Sequence, residues 1–203
     1  MAYILGFIFA DGCLVAHKNG YMGLDITSKD LDLLISIKKI LVSEHKIGRK
    51  ERGCRIQIRN RSICEDLIKY GLTPRKSKIV KFPKVPKKYF SHFIRGLFDG
   101  DGSVMIWQEP RWKHTWQIRV SFASGSKKFL VGLEKSLRKW ACLYRGRISA
   151  LPRGYHLRYV SMPECLSIYK FMYQDNPSIY LERKKDKFEK FVLLKHEEKC
   201  YNS

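Results

Sequence analysis

The chain has 203 residues, 44% of them hydrophobic and 13% aromatic, enough to bury a core and too apolar for a disordered basic tail. Forty Lys and Arg stand against nineteen Asp and Glu, leaving a net charge of +21. Self-repulsion penalises such a surplus unless a polyanion, most often nucleic acid, neutralises it.

In chain order, an apolar segment over residues 3–10 predicts a helix that ends at Asp11-Gly12. It is too short to span a membrane and lacks a basic lead-in, which with six cysteines free of C-x-x-C or zinc spacing predicts a soluble, intracellular protein with reduced thiols. Residues 13–16 and 22–27 flank Lys18-Asn19-Gly20, a strong hairpin signal. Ser28 then precedes an amphipathic helix with Leu31, Leu34, Ile37 and Leu41 at helical spacing. Two further strands follow, one of them the alternating run from Arg55 to Arg59, and one or two helices close the set. Residues 79–90, with two prolines and four lysines, read as an extended linker.

Beyond the linker the order recurs. "YILGFIFADGCLV" and "FIRGLFDGDGSVM" share one frame with their Asp-Gly pairs 90 positions apart. Residues 26–41 align with 122–137, where Ser124 takes the place of Ser28; 52–70 align with 153–171, and Arg75-Lys76 with Arg183-Lys184. The offset only grows, as a duplication with short loop insertions requires. The fold class predicted is α+β: two pseudo-symmetric αββαββα repeats, each an antiparallel sheet backed by helices. The divisions are an N-terminal repeat at 1–78, the linker at 79–90, a C-terminal repeat at 91–195 and a polar, fraying tail at 196–203.

Gly6 and Ala10, and again Gly96 and Gly100, lie one turn apart on the first helix of each repeat. Small residues let two backbones approach, so each helix is the natural partner of its duplicate. Asp11 and Asp101 end these helices, where the macrodipole disfavours a carboxylate by roughly 0.3–1 kcal/mol, and parallel packing adds like-charge repulsion. Folding gains nothing from that arrangement. A divalent cation does: Mg²⁺ takes one or two carboxylates with phosphate oxygens and water, and metal so held against a phosphodiester supports hydrolysis.

"LGFIFADG" and "RGLFDGDG" resemble the paired motifs of single-chain LAGLIDADG homing endonucleases, and the similarity extends over essentially the whole chain. The resemblance implies a monomer whose two motif helices form the interface between repeats. It also implies a metal-dependent double-strand break with short 3′ overhangs in a long DNA target, in the service of intron mobility. The last acid of each motif binds metal in that family, which maps onto Asp11 and Asp101 as catalytic residues and ligands, with Mg²⁺, or Mn²⁺ or Ca²⁺ in its place. The family's lysines near the cleavage centre map onto Lys76 and Lys184, as catalytic residues that order water or offset developing charge. Asp99 fills an earlier acidic position whose counterpart is Phe9, a departure that leaves the two halves unequal, and it is not assigned as a ligand.

Strand alternation sets Arg55, Gln57 and Arg59 opposite Ile56 and Ile58, and Gln117 and Arg119 opposite Ile118 and Val120. Near the turns stand Lys18, Asn19, Tyr21, Arg49, Lys50 and Arg52. In the second repeat their place is taken by Gln108, Arg111, Lys113, Arg145, Arg147, Arg153 and Arg158. Arg reads guanine and Gln reads adenine in bidentate fashion, and a β-ribbon fits the major groove, so these residues form the predicted contact set for an imperfectly palindromic duplex. Two alternatives keep the fold: an intron maturase acting on its own intron RNA, or a DNA- or RNA-binding protein that does not cleave.

Overall fold

Ten mostly apolar residues, Ala2–Asp11, form α1, buried along most of its length, and its last turn passes directly into β1 (Gly12–Ala16). The computed structural model describes residues 1–16, 21–74, 76–110 and 115–201, with backbone only for 199–201. Gly12 is extended, and its N–H donates to the Ile8 carbonyl. A Cβ there would sit 2.7 Å from that oxygen, which explains a glycine without any unusual backbone angle.

After β1 come β2 (Met22–Ser28), α2 (Leu31–Ile40), β3 (Ile47–Lys50), β4 (Gly53–Ile58) and α3 (Arg61–Lys69). The second repeat runs α4 (Lys87–Asp101), β5 (Gly102–Gln108), β6 (Trp116–Ser124), α5 (Lys127–Ala141), β7 (Arg147–Leu151), β8 (Gly154–Tyr159) and α6 (Met162–Tyr173), with an added α7 (Glu182–Tyr201). The two antiparallel sheets have matching strand orders, β1-β2-β4-β3 and β5-β6-β8-β7. Leu24, Ile26, Ile56 and Ile58 on one sheet, and Ile118, Val120, Phe122 and Leu157 on the other, face the helices and are fully or almost fully buried. The α+β duplication read from the sequence is the observed architecture.

Ser28 and Ser124 do precede the long helices, where Asp30 and Ser126 hold the N-cap positions and the two serines accept hydrogen bonds from their backbone N–H groups. Several details differ from the sequence reading. In α2 the buried residues are Leu33, Leu34 and Ile37, while Leu31 is 40% exposed. At 100° per residue the buried arc centres between Leu34 and Ile37, and Leu31 falls beyond its edge. The linker's last residues, 87–90, are the first turn of α4. At the other end α7 continues through most of the segment read as a fraying tail, and Glu198 there accepts from the Trp116 backbone N–H at 3.1 Å.

Candidate active site

The two motif helices, α1 and α4, pack parallel and in contact. Gly6 lies against the Phe93 carbonyl and Gly96 against the Tyr3 carbonyl, so closely that added Cβ atoms would stand 2.0 and 1.9 Å from those oxygens. These are the same contact seen from either side of a pseudo-twofold axis. One turn on, the axis passes between Ala10 and Gly100: a Cβ on Gly100 would fall 2.3 Å from that of Ala10 and 3.3 Å from an Asp11 carboxylate oxygen. All four predicted interface residues are therefore in place, and they deliver Asp11 and Asp101 to one spot at the helix ends.

The electrostatics reflect that crowding. Burial, then the Asp101 charge, push the Asp11 carboxyl up from 3.8 to about 6, partly relieved by Lys184 and Lys76. Asp101 is raised as well, by burial, against the pull of Lys76 and Lys184. Both carboxylates nevertheless keep surface open to solvent, Asp11 in part and Asp101 widely, so a ligand can reach them.

Lys76 opens a short 3-10 turn, Lys76–Lys78, and is buried. Its ammonium donates to the carbonyls of Ile8, Phe9 and Ala10 at 2.8, 2.5 and 3.4 Å. Lys184, in the first turn of α7, does the same for α4, meeting the carbonyls of Phe98, Asp99, Gly100 and Gly102 at 2.6, 2.8, 3.3 and 2.6 Å. The duplicate positions thus make duplicate contacts. A cation at a helix C-terminus satisfies the open carbonyls and offsets the dipole's negative end. Burial lowers both lysines to about 8, resisted by Asp101 for Lys76 and by Asp99 for Lys184. An ammonium has three protons, and Lys76 meets three acceptors and Lys184 four, so the lysines hold the acid-bearing turns and counter their charge from behind.

The departure at Phe9 and Asp99 has a structural account. Asp99 is buried and accepts from the Tyr3 hydroxyl at 2.7 Å and the Leu181 backbone N–H at 2.9 Å. The symmetry-related pair is Phe9 on Phe93, packed edge to face with centroids 5.7 Å apart. One crossing is a hydrogen bond and its mate an aromatic contact, so Asp99 is structural and turned away from the acid pair.

A contact across the repeats also flanks the site. Arg183 makes a bidentate pair with Asp30 at 2.9 and 2.7 Å, which holds the Asp30 carboxyl below its usual range. In the other half the Ser126 hydroxyl, at the position matching Asp30, donates to the Val80 carbonyl at 2.7 Å. Each lysine-bearing segment is wedged between its own motif helix and the β–α loop of the opposite repeat. No sequence signal pointed to Asp30, because the pairing exists only once the repeats dock.

Two carboxylates beside helix-end carbonyls are hard oxygen donors, a set that suits Mg²⁺, Mn²⁺ or Ca²⁺. Among the described residues no group of three or more His, Cys, Asp or Glu gathers here or elsewhere, so remaining positions around a cation would fall to water and phosphate.

On the sheet faces turned from the helices lie Arg55, Gln57, Gln117 and Arg119, as alternation predicts, and with them Arg147 and Arg158. Lys50 joins them by register at the end of β3, and Tyr21, Arg52, Arg59, Arg145 and Arg153 are exposed around the strand ends. Two predicted readers differ: Arg49 pairs with Cys54 and Gln108 with Trp116, which puts both on the helix-facing side of their strands, exposed only because they lie at sheet margins. Lys18, Asn19, Arg111 and Lys113 lie outside the described residues. The outer face also holds residues the sequence reading passed over. Asp25 forms an ion pair with Arg55, Trp107 lies under the Arg119 guanidinium at 5.8 Å, and Ser149 contacts His156 and Arg158.

No family model matches the chain. A curated relative, the probable translation initiation factor IF-2 of Methanocaldococcus jannaschii, is 27% identical over 138 residues, or 64% of this chain; the match spans 11% of that protein's length. Among solved structures, the LAGLIDADG meganuclease I-AabMI bound to uncleaved DNA superposes with a TM-score of 0.70 at 15% identity, covering 98% of this chain and 91% of that one. The I-LtrWI LAGLIDADG homing endonuclease bound to target DNA gives 0.65 at 17% identity, covering 95% and 88%. Full-length DUF199/WhiA from Thermatoga maritima gives 0.58 at 19% identity, covering 95% of this chain and 58% of its own. Two duplicated repeats, closed across a pair of glycine-bearing helices, give this chain the fold of the LAGLIDADG homing endonucleases.

Proposed function

We propose that the protein is a site-specific DNA endonuclease that cuts both strands of a long, asymmetric duplex with a divalent cation held by Asp11 and Asp101. The observation that carries the reading is the carboxylate pair: two acids forced together at the negative ends of two helices, at a cost to folding, and left open to solvent. The fold alone would support DNA binding without cleavage; the acid pair supports hydrolysis. A bound Mg²⁺ would supply Lewis-acid charge at the phosphodiester and lower the pKa of water. Lys76 and Lys184 fix the turns that present the acids, and their charge keeps two carboxylates tolerable at one place. The outward Arg and Gln of the two sheets flank this centre on either side, and their differences predict an imperfect palindrome. Both repeats come from one chain, so a monomer is complete. A role in intron mobility agrees with that activity, and no helix among the described residues is long and apolar enough to cross a membrane.

The test is incubation with Mg²⁺ and a randomised duplex library, followed by sequencing of cut ends. One long asymmetric site with short 3′ overhangs is expected. Asp11→Asn and Asp101→Asn should each abolish cutting while retaining binding. Normal cutting by both variants would remove the site assignment, and specific binding without any nicking by the wild type would make the protein a non-cleaving binder.

A further inference from the structure

The sheets and the acid pair leave one strongly basic region without a role. Between Asp66 and Asp99 the chain has nine Lys and Arg and no acid. Along the extended strap burial repeats every three residues from Val80 to Val85: Val80 and Pro83 are buried, Phe82 and Val85 half-buried, and Lys81 and Lys84 exposed; past the exposed Pro86, the exposed Lys87 continues the lysine series. That is the period of a polyproline II helix, and Pro86 has its backbone angles, φ −60° and ψ 144°. Lysines three apart then line one edge at intervals of roughly 9 Å, on a backbone stiffened by Pro83 and Pro86.

The strap is pinned along α5. The Val80 carbonyl accepts from Ser126, Phe82 packs on Phe129 and against Gly132, and Lys87 lies 5.5 Å from the Trp140 ring. From α5 the exposed Lys135 and Lys139 add to the same flank, where Arg138 occupies the nearby Glu134. None of Lys81, Lys84, Lys87 or Lys88 pairs with a carboxylate among the described residues. At the foot of the ridge, cations and rings interleave: Lys139 stands 4.3 Å from Trp140, and Lys88 4.6 Å from Tyr89, which is 45% exposed.

The ridge is well removed from the acid pair. Lys87 begins α4 and Asp101 ends it, 15 residues or roughly 20 Å apart along the axis. A duplex lying across the C-terminal ends of the motif helices meets only the top of the strap.

We infer that the strap and α5 form a second nucleic-acid surface, one that takes a single strand by its phosphates and stacks a base on Tyr89 at its foot. A single strand is favoured over a second duplex because the lysines stand beside the exposed ring of Tyr89, a stacking surface that paired bases could not use. RNA and single-stranded DNA share this chemistry.

The test measures fluorescence anisotropy of the full chain with labelled oligo(U), oligo(dT) and a 40-base-pair duplex, without divalent metal. The ridge variant is Lys81→Glu/Lys84→Glu/Lys88→Glu, and the sheet variant Arg147→Glu/Arg158→Glu. The ridge variant should lose at least tenfold in affinity for the single strands and keep duplex affinity within about twofold, with its Tm unchanged. The sheet variant should do the reverse. Across the wild-type salt titration, neutral Lys→Gln replacements at the same three positions should reduce the slope of log affinity by about 2. Tighter oligo(U) than oligo(dT) would assign the surface to RNA, and equal binding to either strand. Unchanged single-strand affinity in the ridge variant, or equal losses for both probes, would overturn the inference without touching the cleavage reading, which is tested by the Asp variants alone.

Discussion

Asp11 bears the clearest tension between folding and function. Its pKa stands near 6 in the fold against an ordinary 3.8, so folding favours the neutral acid. That preference stabilises the protein fully below about pH 4 and is lost as the pH rises through 6. In metal-free protein, Asp11→Asn should therefore gain on the order of 1–3 kcal/mol at pH 7.5 and nothing at pH 4, as measured by urea unfolding at both values. Equal stability at pH 7.5 would show that the carboxylate is not held at a cost. Gly96 makes the opposite case. With the Tyr3 carbonyl 1.9 Å from where a Cβ would lie, Gly96→Ala must push two helices apart and should cost about 3 kcal/mol or more. Gly48→Ala, which meets open space, is the control and should change stability by less than about 0.5 kcal/mol.

At the level of elements, the pairing of β–α loops with the opposite repeat's lysine segment gives a further expectation. The Arg183 side chain is 58% exposed, so a double-mutant cycle on Asp30 and Arg183 should return less than about 1 kcal/mol of stability. The same pair adjoins Lys184, however, and Asp30→Asn should slow nicking of one strand more than the other, read from end-labelled duplex; equal slowing of both would refute that coupling. These contacts mark the limit of what the sequence discloses. Repeat order, strand periodicity, the small-residue helix faces and the position of both lysines are legible because each is a pattern written twice. The solvent exposure of Leu31, the inward register of Arg49 and Gln108, and the Asp30–Arg183 pair are not. They depend on where a buried arc centres, how a sheet margin ends and which loop a docked repeat presents, none of which has a local signature. The lysines' carbonyl partners were hidden for the same reason, since backbone acceptors leave no trace in residue identity.

For the molecule as a whole, duplication with divergence decides more than target asymmetry. At one crossing of the motif helices Phe9 meets Phe93, and at its mate Asp99 meets Tyr3. Imagine the chain severed in the linker and its two parts supplied separately. Two N-terminal parts brought together would set Phe9 against Tyr3, a tolerable apolar contact. Two C-terminal parts would set each Asp99 against Phe93, stranding a carboxylate in the dry seam without the hydroxyl it relies on, at a penalty of several kcal/mol. Co-expressed fragments should accordingly recombine as a mixed pair, with C-terminal self-association rarest, as native mass spectrometry would count; Asp99→Leu should release that restraint. A single hydroxyl–carboxylate handshake thus tells each half which sibling to accept.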